Sequence, residues 1–192
     1  MQEYLASSTY IDGSHTAIQQ QARKLTGGLT RVEDKVKACF EFVRDEIKHS
    51  WDYQLNPVTC RASDVLIHGT GFCYAKSHLL AVLLRASHIP AGLCYQRLTI
   101  ANDQPPFCLH GLNAVYLPSY GWYRLDARGN KPGVAAEFCP PEEKFAFPYV
   151  LDGEGMFPGI WAEPMEVVVR ALEAAETFQD LADNLPDLPL PV

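Results

Sequence analysis

No two of the six cysteines form a C-x-x-C pair, and His68, His78 and His88 fall at intervals of ten, which is not a ligand pattern. A structural zinc site needs paired ligands at short spacing, so this absence argues against one. Basic residues are outnumbered, 16 Lys and Arg against 23 Asp and Glu, for a net charge of −7. Such a surface has no electrostatic footprint for nucleic acid or for an anionic membrane, so neither is an expected partner. The longest apolar run, "LLAVLL", is far short of a bilayer span. The first residues, "MQEYLASSTYIDGSH", lack a basic region followed by an apolar run, so no signal peptide is read and a cytoplasmic location is expected. Free thiols fit that compartment. There are no internal repeats and no low-complexity tract. No metal and no cofactor is expected, and His68, His78 and His88 read as solvated or hydrogen-bonded side chains.

What remains is a 192-residue chain, 47% hydrophobic and 20% charged, enough for one ordinary domain with a real core. A short amphipathic helix is read in "HTAIQQQARKL". A longer one is read in "TRVEDKVKACFEFVRDEIKH", where Val32, Val36, Phe40, Val43 and Ile47 recur at helical spacing and Thr30 with Glu33 forms a capping box. The stretch "GTGFCYAKSHLLAVLLRASHIP" predicts a helix from Phe72 or Cys73 to before Pro90, apolar nearly all round and hence central and buried. Strands follow in "AGLCYQRLTI", "CLHGLNAVYL" and "GWYRLDA". Residues 131–163 are rich in Pro, Gly and aromatics and read as an ordered extension wrapped over the domain. A last helix from about Pro164 to Phe178 precedes the extended "LPDLPLPV". Helices and strands are segregated, so the fold class is α+β. The expected organisation is a core at 1–130 and a wrapping extension with a C-terminal helix at 131–192.

Three residues stand where chemistry is possible. Cys73 follows two glycines at a helix start, where free N–H groups and the helix dipole stabilise a thiolate. His110 lies on a strand, and Asp126 closes the next one. Singly, each has a bland reading: a small core residue, a structural histidine, a turn former. Together they supply a nucleophile, a base and a group that orients the base. His110 and Asp126 face each other if the hairpin is centred near Pro118. A turn centred on Tyr120 offsets them by about four residues, roughly 13 Å at ~3.3 Å per residue. Among the other thiols, Cys39 on the apolar face of the second helix and Cys94 and Cys108 on strands are expected to react slowly if buried, and Cys60 and Cys139, in loop-like contexts, at ordinary rates.

The segments "GTGFCYAKSHLLAVLLRASHIPAG", "LHGLNAVYL" and "GWYRLDARG" together resemble the transglutaminase-like superfamily. The resemblance covers about 40–130 and implies a papain-like core with a central buried helix on a mostly antiparallel sheet. It implies Cys73 as nucleophile, His110 as base and Asp126 as orienting acid. It also implies a second oxyanion donor upstream of the cysteine, for which Trp51 and Tyr53 in "HSWDYQL" are the candidates. Tyr53 ranks first because its hydroxyl donates. The chain departs from many members at Leu112, where they carry tryptophan, and at Ala127, where they carry proline. The expected function is a cysteine protease or amide hydrolase acting on a peptide or protein amide through a thioester. Acyl transfer to an amine and a non-catalytic peptide-binding module are the alternatives.

Overall fold

The computed structural model describes residues 1–101 and 104–191. After a short 3-10 turn, α1 (Thr16–Thr26) and α2 (Val32–Glu41) lead into a π-helical turn at Phe42–Glu46. Then come β1 (Lys48–His49), α3 (Ser50–Tyr53), α4 (Ala62–His68), β2 (Thr70–Gly71) and α5 (Cys73–Ala86). The strands β3 (Ala91–Ala101), β4 (Gln104–Leu117) and β5 (Gly121–Leu125) follow. The hairpin β6 (Glu137–Cys139) and β7 (Glu142–Lys144), the short β8 (Gly155–Met156), α6 (Glu166–Ala174) and α7 (Phe178–Asp183) complete the chain. One antiparallel sheet has the order β5-β4-β3-β8, and α5 packs against β3 and β4 with α1, α2 and α4 around it. The fold is α+β, as the segregation of elements predicts.

Helix α5 is the centre of the core. Every residue from Cys73 to Arg85 is buried, and Leu79, Leu80, Leu83 and Leu84 are each 0% exposed. Burying each such leucine contributes roughly 1.5–3 kcal/mol. Two buried cations break the apolar run. Arg85 donates to the carbonyls of Ala91 at 3.0 Å, Ala6 at 2.8 Å and Ala162 at 2.6 Å, tying together three distant segments. Lys76, 0% exposed, donates to the Ile47 carbonyl and, at 3.4 Å, to that of Arg44.

Lys76 accounts for one correction. The helix expected over 30–49 ends at Glu41, widens into the π turn, and is extended from Ile47. The Arg44 and Ile47 carbonyls serve the buried ammonium, so a tertiary contact overrides the helical period, although Val43 and Ile47 remain buried. The Thr30–Glu33 capping box does not form either, because Arg31 is the N-cap and has no side-chain cap bond. A box forms instead at Thr177 and Asp180, starting α7 and dividing the expected last helix in two.

The 131–163 extension is ordered and anchored by aromatic contacts. Phe138 lies against Phe40 and Tyr123, and Trp161 lies against Tyr95 and Phe157. Within it, β8 pairs with β3 at the sheet edge. The C-terminal tail runs along β4, where Leu109 N donates to Pro186 O at 2.7 Å and Arg97 holds Asp187 at 2.6 and 2.7 Å. No helix among the described residues is long and apolar enough to cross a membrane.

Candidate active site

Cys73 is the first residue of α5, after an N-cap, Phe72, that makes no side-chain cap bond. Its backbone N–H is therefore one of the free donors of a helix start, at the positive end of the dipole. The register of β4 and β5 ends on Leu117 opposite Gly121, so the turn is centred on Ser119, between the two sequence alternatives. Extending that register sets Asp126 opposite Leu112, a diagonal neighbour of His110. A two-residue offset keeps both side chains on one face of the sheet, and a diagonal pair is within reach of a long side chain. His110 Nε2 donates to Asp126 Oδ2 at 2.8 Å, with no bulge required.

Gly111 brings this pair to the helix. A Cβ at that position would stand 2.9 Å from the Tyr74 Cα, closer than any side chain allows. The glycine lets β4 lie directly on the first turn of α5, and its N–H points to Cys73 Sγ at 3.5 Å. The Tyr74 hydroxyl donates to the Leu109 carbonyl and fastens the same joint.

The electrostatics follow from burial against pairing. His110 is 4% exposed, and burial alone would lower its pKa. The facing Asp126 carboxylate, the Cys73 sulfur and hydrogen bonds to both outweigh burial and lift it to about 10. Asp126 is fully buried, which opposes ionisation. His110 and the backbone N–H groups of Ala146 (2.9 Å) and Arg128 (3.1 Å) nevertheless hold it below the usual carboxylate range. The other cysteines behave differently: burial pushes Cys39, Cys94 and Cys108 up to about 12. Cys60 is also pushed to about 12, which corrects its expected ordinary reactivity.

Cys73 and His110 line a cavity of about 300 Å³, and Asp126 reaches it only through its bond to His110. Its walls are largely apolar: Phe72, Leu98, Ile100, Phe147 and Leu185, with the half-exposed Trp51 at the mouth. Phe147 packs edge-on against His110 at 5.3 Å between centroids. Only this first part of the segment "FPYVLDGEGMFPGIWAEP" reaches the cavity, because Phe157 and Trp161 turn into the core side of the sheet.

Cys73, His110 and Asp126 are thus brought together, and Trp51 shares the cavity wall with Cys73 and His110. Tyr53 is not on that wall. It is 60% exposed, with the Lys48 ammonium 5.4 Å from its ring centroid, so the ranking of Tyr53 over Trp51 is reversed by position. Sequence reading passed over Gly111, Lys76 and His49. A lysine in the first turns of a helix read as buried was a legible signal for Lys76. A glycine beside the strand histidine was one for Gly111. His49 lines the cavity from β1, a two-residue strand with no period to reveal it. Nearby, Asp52 binds Arg128 at 2.5 and 3.0 Å and Lys131 at 2.6 Å. Among the described residues no group of three or more His, Cys, Asp or Glu gathers as a metal site.

A family model, the transglutaminase-like superfamily, matches residues 19–127. The chain belongs to the transglutaminase-like superfamily. None of the curated proteins matches it. Among solved structures, a protein described as a candidate cysteine protease from Cytophaga hutchinsonii is 24% identical with a TM-score of 0.52. That alignment covers 65% of this chain and 40% of the other. The periplasmic domain of TgpA from Pseudomonas aeruginosa is 20% identical with a TM-score of 0.49, over 65% of this chain and 45% of that one. The chain therefore spans less than half the length of either. At this identity the likeness to the Cytophaga hutchinsonii protein is one of fold. The superfamily match runs from α1 to just past Asp126 and contains Cys73, His110 and Asp126.

Proposed function

We propose that the chain is a cysteine-dependent amide or peptide hydrolase that works through a thioester on Cys73. The observation that carries this reading is the position of His110, buried between a carboxylate at 2.8 Å and the sulfur at the start of α5. A raised histidine beside a thiol favours the thiolate–imidazolium pair over the neutral pair. In this reading Cys73 Sγ attacks the amide carbon and the carbonyl electron pair moves to oxygen. The backbone N–H of Cys73 donates to that oxygen. The oxyanion collapses, the C–N bond breaks, and His110 gives its proton to the departing amine. Water, deprotonated by His110, then attacks the thioester carbon and Sγ leaves as thiolate. Asp126 orients the imidazole and stabilises its charged form.

Acyl transfer differs only in the second attack, where a primary amine replaces water. The apolar part of the wall, Phe72, Leu98, Ile100, Phe147 and Leu185, supports this second reading, since apolar lining disfavours water beside a thioester. A peptide-amide screen with and without a labelled primary amine separates the two. A labelled product that grows with amine concentration means transfer, and a product ratio indifferent to amine means hydrolysis.

The test of the shared chemistry is the pH profile of iodoacetamide labelling at Cys73, read by peptide mass spectrometry, with His110→Ala alongside. Fast labelling that extends well below pH 7 and slows in the variant is expected. Labelling that rises only near pH 8.5, as for a free thiol, in both proteins would overturn the reading in favour of a non-catalytic peptide-binding module. Cys73→Ala should lower turnover on any substrate so found by at least about a thousandfold, and full activity in that variant would be equally fatal.

A further inference from the structure

The segment that follows α7 has no part in the chemistry above, yet it reaches the cavity. Leu185 is one of the lining residues. The next residue, Pro186, is buried, and its carbonyl accepts the Leu109 N–H at 2.7 Å. Asp187 accepts two bonds from Arg97, at 2.7 and 2.6 Å. Leu190 covers Gly155 so closely that a Cβ there would meet it at 2.8 Å. Anchored at each of these points, the segment is a fixed part of the wall.

An extended peptide docks on a sheet by adding a strand to a free edge. Here that edge is taken. Leu109 precedes His110 on β4, and its N–H points the same way as that of Gly111, two residues on, which faces Cys73 Sγ. The Leu109 N–H is spent on Pro186, and its carbonyl accepts from the Tyr74 hydroxyl. What the cavity offers instead is apolar side-chain surface. In the β3–β4 register Leu98 stands opposite Cys108, which shares a face with His110 two residues away. Ile100 continues that strip along β3, and Phe147 and Leu185 complete it. The remaining wall differs in kind, with His49, Asp52, Arg128 and Lys131 from β1, α3 and the segment after β5. An amine that takes up a proton suits that polar side, and an uncharged acyl chain suits the apolar one. At about 300 Å³ the cavity is at the small end of ligand sites, which run from roughly 300 to 1,000 Å³.

We propose that the acyl donor is an amide of a compact apolar acyl group, seated among Leu98, Ile100, Cys108, Phe147 and Leu185, and that Leu185 sets how long that group can be. This rests on the thioester reading above and narrows its substrate. The bonds made and broken are those already given, and Leu185 acts on specificity alone.

p-Nitrophenyl esters of straight-chain acids, from acetyl to decanoyl, read this subsite. Sγ attacks the ester carbon, the C–O bond breaks and p-nitrophenolate leaves with the electron pair. The acyl group stays on Sγ as a thioester until water attacks it. kcat/KM should rise about fourfold per added methylene while the chain fits, and then fall. Leu185→Ala should move that peak to longer acyl chains, and Leu185→Phe to shorter ones. Leu188→Ala alters the same segment at a residue that lines a different hollow, and should leave the peak in place. A profile flat in chain length, or a peak that both Leu185 variants leave unmoved, would overturn the proposal. So would a gain of about tenfold or more in cleavage of an extended peptidyl p-nitroanilide by Asp187→Ala. The segment would then be a competitor for the β4 edge and not a wall. In each of these outcomes Cys73 is still acylated in the wild type, so the thioester reading stands. If peptide mass spectrometry finds no ester carried on Cys73, the nucleophile is misassigned and both readings fall.

Discussion

The two ends of α5 are equally buried and treat their polar groups in opposite ways. At the C-terminal end the Arg85 guanidinium spends its donors on three carbonyls at 2.6–3.0 Å. At the N-terminal end the first turn has no side-chain cap, and Cys73 Sγ meets the Gly111 N–H at 3.5 Å. Saturated hydrogen bonding makes the first end a fastening. The second end keeps the free N–H donors of a helix start.

The largest break in this contrast is expected from Asp126→Asn. His110 titrates near 10 because Asp126, Cys73 and their hydrogen bonds overcome burial. Without the carboxylate charge, burial regains weight and the value falls. The imidazolium that protonates the leaving amine is present below its pKa, so the alkaline limb of turnover, near pH 10 in the wild type, should move toward neutrality. Turnover at pH 8 should fall by about two orders of magnitude or more. An alkaline limb that stays in place would show that Asp126 does not hold the imidazolium.

At the other end, Arg85→Met leaves three carbonyls without donors, a loss of about 3 kcal/mol or more. For a chain of this size that lowers the melting temperature by roughly 6–12 °C. Activity per folded molecule should not change. A variant that melts normally but loses turnover would erase the distinction between the two ends.

The smallest effect concerns Lys76, which lies between them. Burial, with Arg128 adding, lowers its ammonium from 10.5 to about 7. Between those values the unfolded chain holds the proton and the folded one does not, so this group makes stability rise with pH from about 7 to about 10. Below 7 both states are charged and the burial penalty applies in full. His110, raised to about 10, works the other way, its stabilisation complete below 6.5 and lost as pH rises through 10. Its contribution cancels when wild type is compared with Lys76→Met. Denaturant melts at pH 6.5 and pH 9.5 should show the wild type gaining on the variant at the higher pH, and no gain would contradict a depressed lysine.

Most of this contrast is written in local pattern at one end and hidden at the other. The central helix was legible because Leu79, Leu80, Val82, Leu83 and Leu84 leave no polar face. The three candidate positions were legible because a cysteine just after two glycines, a strand histidine and a strand-ending aspartate together supply a nucleophile, a base and an orienting acid. The end of α2 was not, since Val43 and Ile47 keep the helical period while their backbone answers to Lys76. His49 was not either, since its place comes from a two-residue strand pairing that only the assembled chain defines.

Arg85 also bears on the order in which the chain assembles. Its three carbonyls belong to residues 6, 91 and 162, so two of the bonds close loops of 79 and 77 residues. The Ala91 bond is local, but the other two can form only after the N-terminal segment and the wrapping extension have docked on α5. Contacts that close last are absent from the folding transition state and act on the rate of unfolding alone. Arg85 is then a latch: it does little to help the domain form, and it sets how long the formed domain lasts.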